Sequence, residues 1–522
     1  MLLRLAPVYR GKTKPVSDIP SASHRKATQL LLGLAVLLAL YRIVLLTQSH
    51  VGLYYDEIYY FHWSLRPDFG YYSKPPMIAW IISLSSSIAG ASVFGIKWLP
   101  GLCWLGSALF TALVARDLWG DRAGTIALLI FYTTPLTSFY TLLATTDAAL
   151  LLFWSCSVWC FTRAQSAHSS GTNTMGWWLV AGIATGCALL SKYTAFILPF
   201  SYLVFLVLKP ERRLQFATAG PWLAGVIALA IFSPNVIWNS QHEFVAIQHT
   251  SDIAKLDGPL VNPVALLEFV GEQWMLFGPI AGVAFVLNAR DISRRLTSDG
   301  RYQAAVLGGL LLFLVIGTQA LLSRAFANWA APLMLALTLL LTPVLLARTR
   351  WLVAVLTMNL LLAVSFYHWP TLLSLTDATV TKKNNPWIRA EDWYHPAIES
   401  LEEDGVDTTL PIISDYRAIL GPAHFAVSKT SFPQAFWQPN DAVVTDYYDQ
   451  MINIASLGDT SGPYLFLTES APTDLSQLGF EVVELRATVE HYHRWRPTKN
   501  LYAYRVSNFQ GYPAAQPTGI EP

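Results

Sequence analysis

The chain has 522 residues, of which 53% are hydrophobic and only 13% charged, with a formal net charge of +1; its mean hydropathy is +0.39. A soluble protein carries about 25% charged residues, so a wholly water-soluble chain is excluded. The basic residues are scattered through short segments and form no stripe, which argues against nucleic acid as a partner.

In chain order, Arg4, Arg10, Lys12, Lys14, Arg25 and Lys26 precede an apolar run at 30–46. The run has no small-residue cleavage site, so it reads as an uncleaved first span, with 1–27 as a cytoplasmic N-terminal segment. A spanning helix needs about 20 apolar residues. Eleven stretches approach that: 28–48, 96–115, 122–141, 147–163, 177–191, 193–208, 216–237, 264–288, 303–322, 329–347 and 351–368. One more apolar stretch, 76–91, decides the sidedness of everything after it. If it does not span, the loops holding RDLWGDR, KPERR, NARDISRRLTSDGR and ARTR are cytoplasmic, as the positive-inside bias requires. If it spans, all of them move outside. The stretch is short and carries Ser83, Ser85, Ser86 and Ser87, which suits a helix lying on the membrane surface or dipping into it.

The expected fold is therefore an all-α polytopic membrane domain over 28–370, with about eleven transmembrane helices and interfacial helices in its first outer loop. Residues 371–510 mix charges, prolines and strand-length apolar runs at 410–414, 442–445, 464–468, 481–485 and 501–506, with helical patterning at 397–403. They are expected to form an extracytoplasmic α/β domain, and 511–522 (GYPAAQPTGIEP) a disordered tail. Cys103, Cys156, Cys160 and Cys187 all fall in apolar stretches. Cys156 and Cys160 sit one helical turn apart, but without a neighbouring histidine they read as packing residues, so neither a disulfide nor a zinc site is expected.

The residues suited to chemistry fall on the outer face. Asp56 and Glu57 follow the first span in an aromatic setting that includes Tyr55 and Tyr59. A partly desolvated carboxylate there has the basicity of a general base; the plainer alternative is an acidic helix start with interfacial aromatics. Lys74 follows Tyr72 and precedes Pro75-Pro76, where a helix N-terminus and a cation together suit a phosphate; otherwise it is a snorkelling lysine. Asp147 opens a span, as a cap or as a site residue. Lys192, His249, Asn328 and Arg324 complete the set, Arg324 as a second phosphate ligand through its two-pronged guanidinium. His242 and His249 are weak evidence for a metal, and a divalent metal is left open with no ligands assigned.

Together Asp56-Glu57, YYSKPPMIAW, TTDAALLLFW, SKYTAFILPF, SPNVIWN and ANWAAP resemble the C-type glycosyltransferase superfamily. The similarity is to the bacterial branch related to protein O-mannosyltransferases and to aminoarabinose and galacturonosyl transferases of lipopolysaccharide, and it covers about 40–345. The resemblance implies a multi-pass protein of the bacterial inner membrane, surrounded by lipid, with its C-terminal domain in the periplasm. It implies an inverting glycosyltransferase moving a sugar from a polyprenyl-phosphate donor to a hydroxyl of lipid A, core oligosaccharide, another glycolipid or a protein. By the same resemblance Asp56 activates the acceptor, with Glu57 beside it, Lys74 contacts the donor phosphate, and Asp147 positions donor or acceptor. Arg324 and Asn328 match less closely. Ser73 stands where the aminoarabinose enzymes have a metal-contacting glutamate, so a bound zinc does not carry over.

A secondary transporter is the main rival, but it would place ionisable residues at mid-span and show inverted repeats. A membrane scaffold with a periplasmic partner-binding domain is the other.

Overall fold

The computed structural model describes residues 22–48, 51–254, 261–376, 387, 390, 392–438, 444–472, 474–490, 492 and 499–512. The basic segment up to residue 21, the tail from 513 onward and half of the expected strand at 442–445 (442–443) lie outside the described residues.

The chain opens with α1 (Ala22–Leu45), then two short helices, α2 (Tyr55–Ser64) and α3 (Met77–Ala89). α2 starts where Glu57 folds back to accept from the Tyr54 amide at 2.8 Å, half of a capping box. α3, which carries the stretch at 76–91, has 13 residues. That is about 20 Å of helix, too short for a hydrocarbon core of roughly 30 Å. α4 (Val93–Trp119) begins where the Ser92 hydroxyl accepts from the Gly95 amide at 3.0 Å. α5 (Asp121–Thr133) ends at Thr134, which caps α6 (Pro135–Tyr140). Then come α7 (Thr146–Ser169), α8 (Met175–Leu189), α9 (Ile197–Val207), the single turn α10 (Pro210–Arg213), α11 (Ala219–Gln241) and α12 (Val245–Ala254).

α13 (Pro263–Phe277) and α14 (Pro279–Leu287) meet at an angle of 103°. Gly278 makes the break with φ of 111°, a conformation open to glycine, and an added Cβ would collide with the Asn359 side chain. α15 (Ala289–Ser298), α16 (Gly300–Leu322), α17 (Leu333–Ala347), α18 (Thr349–Tyr367) and α19 (Trp369–Ser374) complete this part.

All eleven expected stretches fall on helix, but the count of eleven crossings is not reached by length and apolarity. Among the described residues five helices qualify (α1, α4, α11, α16 and α18), and up to seven spans if each bent pair counts as one. Short and broken helices account for the difference. The stretch 122–141 is broken at Thr134-Pro135 into α5 and α6, and every residue of α5 from Ala123 to Thr133 is buried in protein. α17, of 15 residues, is likewise buried along most of its length. The peripheral helices carry the lipid-facing surface: Leu30, Leu37 and Leu40 of α1 and Val226 and Leu229 of α11 are exposed, as suits contact with acyl chains.

Ionisable groups buried at the helix ends join these elements. Arg42 of α1 donates to the Tyr367 hydroxyl of α18 at 2.7 Å, the Tyr132 carbonyl of α5 at 2.9 Å and the Ser138 hydroxyl of α6 at 3.0 Å. Lys97 of α4 is fully buried, 2.9 Å from Glu57, and donates to the Leu142 carbonyl at 3.0 Å. The other Glu57 oxygen accepts from the Ala144 amide at 2.6 Å.

Beyond α19 come α20 (Tyr394–Glu403), β1 (Ile412–Ser414), α21 (Arg417–Val427), α22 (Tyr447–Ile452), β2 (Tyr464–Thr468), β3 (Phe480–Val489) and β4 (Leu501–Phe509). The sheet order is β1-β2-β4-β3, with β1 parallel to β2 and the other pairs antiparallel. A parallel pair needs a crossover, and α21 lies within the one that links β1 to β2. Alternation in β2 sends Leu465 and Leu467 toward Leu401, Ile419 and Ala423 of the helices, and Phe466 toward Trp437 and Leu478 on the other face. α21 then lies against α2, with Phe425 edge-on to Phe61 at 5.5 Å.

Removing one partner from a buried ion pair strands the other charge. Lys97→Met is therefore expected to destabilise the protein by about 3–5 kcal/mol, with the double variant Glu57→Gln, Lys97→Met recovering part of the loss. Thermal unfolding in detergent measures both; a Lys97→Met protein as stable as wild type would contradict the clamp.

Candidate functional site

Several loops and the C-terminal sheet region converge at one end of the helical body. Asp56 sits in the first turn of α2. Lys74 closes a tight turn in which its carbonyl accepts from the Tyr71 amide at 3.1 Å and its amide donates to the Tyr71 carbonyl at 3.3 Å, and Pro75-Pro76 lead directly into α3. Asp147 opens α7. Lys192 follows α8, in a turn pinned to α3 by the Met77 amide donating to the Leu190 carbonyl at 3.0 Å. Asn328 lies in a 3-10 turn (Ala327–Ala330) ahead of α17. Asp56, Glu57, Lys74, Asp147, Lys192, Asn328 and Tyr55 line one cavity of about 520 Å³, walled also by Tyr60, Tyr140, Trp329 and Trp387.

The charges in this cavity are unequally committed. Asp147 is 1% exposed; one oxygen accepts from the Lys192 ammonium at 2.8 Å and the other from the Asn328 amide at 2.8 Å. Glu57 is held as described, between Tyr54, Ala144 and Lys97. Asp56 keeps 37% of its side chain open and lies 3.4 Å from the Arg417 guanidinium. Burial raises its carboxyl above the usual range, with Arg417 and then Lys74 pulling the other way. Among the described residues Lys74 forms no ion pair. Burial, and then Lys192, lower its ammonium to about 8. The cavity thus presents one loosely held carboxylate and one unneutralised cation.

Other expected site residues lie elsewhere. Arg324 is exposed, with its guanidinium 5.4 Å from the Phe326 ring centre, and does not line the cavity. Tyr59 is buried, its hydroxyl accepting from the Tyr447 amide and its ring against Trp63 and Tyr448. Tyr72 and His249 pack 4.8 Å apart and line a second cavity of about 320 Å³ with Ser73, Asp415, Tyr416, Arg417, Phe436, Gln438, Thr445 and Asp446. Burial, with Lys74 and Arg417 beside it, lowers the His249 imidazole to about 4, so the ring is neutral near pH 7. Among the described residues no three His, Cys, Asp or Glu side chains gather as a metal site.

Two residues escaped the sequence reading. Lys97 stands near the start of an apolar run, where an unpartnered lysine is costly; that cost was its only signal. Arg417 sits in an unremarkable segment, SDYRAIL, and reaches Asp56 through tertiary packing alone.

A domain described as Dolichyl-phosphate-mannose-protein mannosyltransferase matches residues 73–238. The chain is similar to the lipid A galacturonosyltransferase RgtD of Rhizobium johnstonii, at 28% identity over 490 residues, covering 91% of this chain and 98% of RgtD. It is also similar to an undecaprenyl phosphate-alpha-4-amino-4-deoxy-L-arabinose arabinosyl transferase of Pseudomonas fluorescens, at 24% identity over 166 residues, 31% of this chain and 30% of that protein. In fold it matches ArnT from Cupriavidus metallidurans in the apo state, with a TM-score of 0.62 at 15% identity over 91% of this chain and 98% of ArnT. The structure of that protein bound to undecaprenyl phosphate gives 0.60 at 16% identity, over 90% and 97%. The fold is thus shared nearly end to end with that of ArnT, and the matched domain contains Lys74, Asp147 and Lys192.

Proposed function

We propose that this glycosyltransferase moves a sugar from a polyprenyl-phosphate carrier to a hydroxyl of lipid A or core oligosaccharide, at the periplasmic face of the bacterial inner membrane and with inversion at the anomeric carbon. One observation carries the reading: Asp56, Lys74 and the Lys192–Asp147 pair, from separate loops, wall a single cavity. The names of the relatives agree with a lipopolysaccharide-type acceptor and a polyprenyl-phosphate donor.

The chemistry follows from the unequal commitments. A lipid phosphate leaves as an anion, so its departure needs positive charge and no proton. Lys74 is the cation free to supply it. The acceptor hydroxyl is a poor nucleophile and needs a base. Asp56 takes that proton as the oxygen attacks the anomeric carbon and the bond to the phosphate oxygen breaks. Partial desolvation makes its carboxylate a better base, and the loose contact with Arg417 keeps it ionised. A single displacement on the face opposite the phosphate inverts the centre. Both oxygens of Asp147 are occupied, so its role is to aim Lys192 and Asn328 into the cavity; Glu57 holds the loop that carries Asp56. Arg324 takes no part in this arrangement.

The placement of buried charge favours surface chemistry over solute transport. Arg42 lies near the end of α1, Lys97 at the start of α4 and Asp147 at the start of α7, all at the end where the C-terminal sheet region packs. A transport path would carry them at mid-span.

Asp56→Asn is expected to lower kcat by about 10²- to 10⁴-fold while the protein still retains undecaprenyl phosphate. Assay of purified protein with a polyprenyl-phosphate-linked galacturonic acid or aminoarabinose checks this, and near-wild-type turnover of the variant would end the assignment of the base. Lys74→Ala should cost about 10²- to 10³-fold in donor kcat/KM.

The pH dependence has a definite sign. Activity falls on the acid side as Asp56 is protonated, at a pH above the usual carboxylate range because its pKa is raised. It falls on the alkaline side as Lys74 loses its proton, near pH 8 in donor kcat/KM, which reports the free enzyme. In kcat the alkaline limb moves higher, since bound phosphate favours the ammonium. Lys74→Arg should abolish that limb; an unchanged alkaline limb in this variant excludes Lys74 as its source.

A further inference from the structure

The second cavity is separated from the first by little more than one side chain. Ser73, on its wall, is adjacent in sequence to Lys74, and Arg417 lines it while lying 3.4 Å from Asp56. Its lower wall comes from the turn that holds Lys74 and from α12, through Tyr72, Ser73 and His249. Its upper wall comes from the C-terminal sheet region, through Asp415, Arg417 and Asp446.

Its chemistry is that of a polyol site. At about 320 Å³ it lies at the small end of the ~300–1,000 Å³ range of ligand pockets. Tyr72 and Phe436 offer aromatic surface, as suits the C–H face of a pyranose. Around them stand groups able to bond hydroxyls: the Arg417 guanidinium, the neutral His249 ring and the Asp415 carboxylate. Asp415 receives a hydrogen bond from the Thr468 hydroxyl on one oxygen, at 2.8 Å. Burial raises the Asp415 carboxyl above the usual carboxylate range, with the Thr468 hydroxyl pulling the other way. The carboxylates of Asp415 and Asp446 offset the Arg417 cation, so the cavity is not built for a second phosphate.

We propose that this second cavity is the acceptor subsite, holding a pyranose ring of the acceptor glycolipid so that its free hydroxyl passes the Arg417 guanidinium to reach Asp56. The inference rests on the transferase reading above and adds where the acceptor saccharide sits and which residues hold it. It also makes the C-terminal sheet region part of the active site. The donor enters the first cavity with its lipid, the acceptor sugar enters between α12 and the sheet region, and the reacting atoms meet at Asp56.

Native mass spectrometry of the full chain in detergent tests this, with undecaprenyl phosphate, lipid A and core oligosaccharide added separately. Wild type is expected to retain undecaprenyl phosphate and one of the two saccharide probes, and the probe retained names the source of the pyranose. Asp415→Asn and His249→Ala, on opposite walls, are each expected to weaken retention of that probe and to raise acceptor KM roughly tenfold or more. Retention of undecaprenyl phosphate and donor KM should match wild type, which also shows that each variant is folded. The subsite is overturned if both variants hold the saccharide probe like wild type, if they lose undecaprenyl phosphate in equal measure, or if wild type turns over donor yet retains neither saccharide probe. A wild-type protein that neither binds undecaprenyl phosphate nor transfers sugar defeats the transferase reading itself, a result distinct from those three.

Discussion

The geometry of the site depends on one carboxylate whose two oxygens are fully engaged within the protein. Glu57 accepts from the Tyr54 amide, the Ala144 amide and the Lys97 ammonium, and so binds the start of α2, the loop before α7 and the start of α4 into one unit. Asp56 precedes it in sequence and Asp147 follows Ala144 by three residues. Fixing Glu57 therefore fixes the spacing between the two loops that wall the cavity. A buried ion pair of this kind adds little net stability over a well-packed apolar pair, because both charges are desolvated. What it supplies is a unique arrangement, since any slip of one loop strands a charge.

The same economy governs the other charges. Removed from water, each ionisable group must find a partner, and the partners found here sort the residues by function. Asp147 is saturated by Lys192 and Asn328, and Arg42 by hydroxyls and a carbonyl across three helices. Asp56 has only a loose contact with Arg417, and Lys74 has no ion pair among the described residues. The incompletely satisfied pair is the one with capacity left for a substrate, and burial has already moved both pKa values toward neutrality. Such displacement is common where proton transfer and anion binding occur.

The C-terminal region is joined to the membrane body by packing as well as by Arg417. Trp63 stacks on Tyr71 at 4.6 Å, Tyr59 meets Tyr447 and Tyr448, and Leu420 and Phe436 close over them. This aromatic cluster lies beneath α21, so the rigidity of α2 and the position of Arg417 have a common origin. Tyr59 belongs to it as a packing residue, and its distance from the cavity follows from that.

Hydropathy, the deficit of charge and the order of the acidic and basic motifs determine a polytopic helical chain with a small mixed α/β region after it, because span length and strand alternation are local properties. They also mark Asp56, Lys74 and Asp147, since a charge beside an apolar run is costly and therefore visible. The number of helices able to cross is not local. α5 and α17 are wrapped by other helices, and the break at Thr134-Pro135 divides one apolar run in two, so an apolar run does not by itself define one unbroken helix. Nor does order along the chain reveal that Glu57 is consumed by Lys97, that Arg324 turns away onto Phe326, or that Tyr72 and His249 belong to a different cavity from Asp56. Arg417 is 361 residues from Asp56, and only the docking of α21 on α2 brings the two together. Pairing between distant charges depends on packed geometry, and that is the part the tertiary structure alone decides.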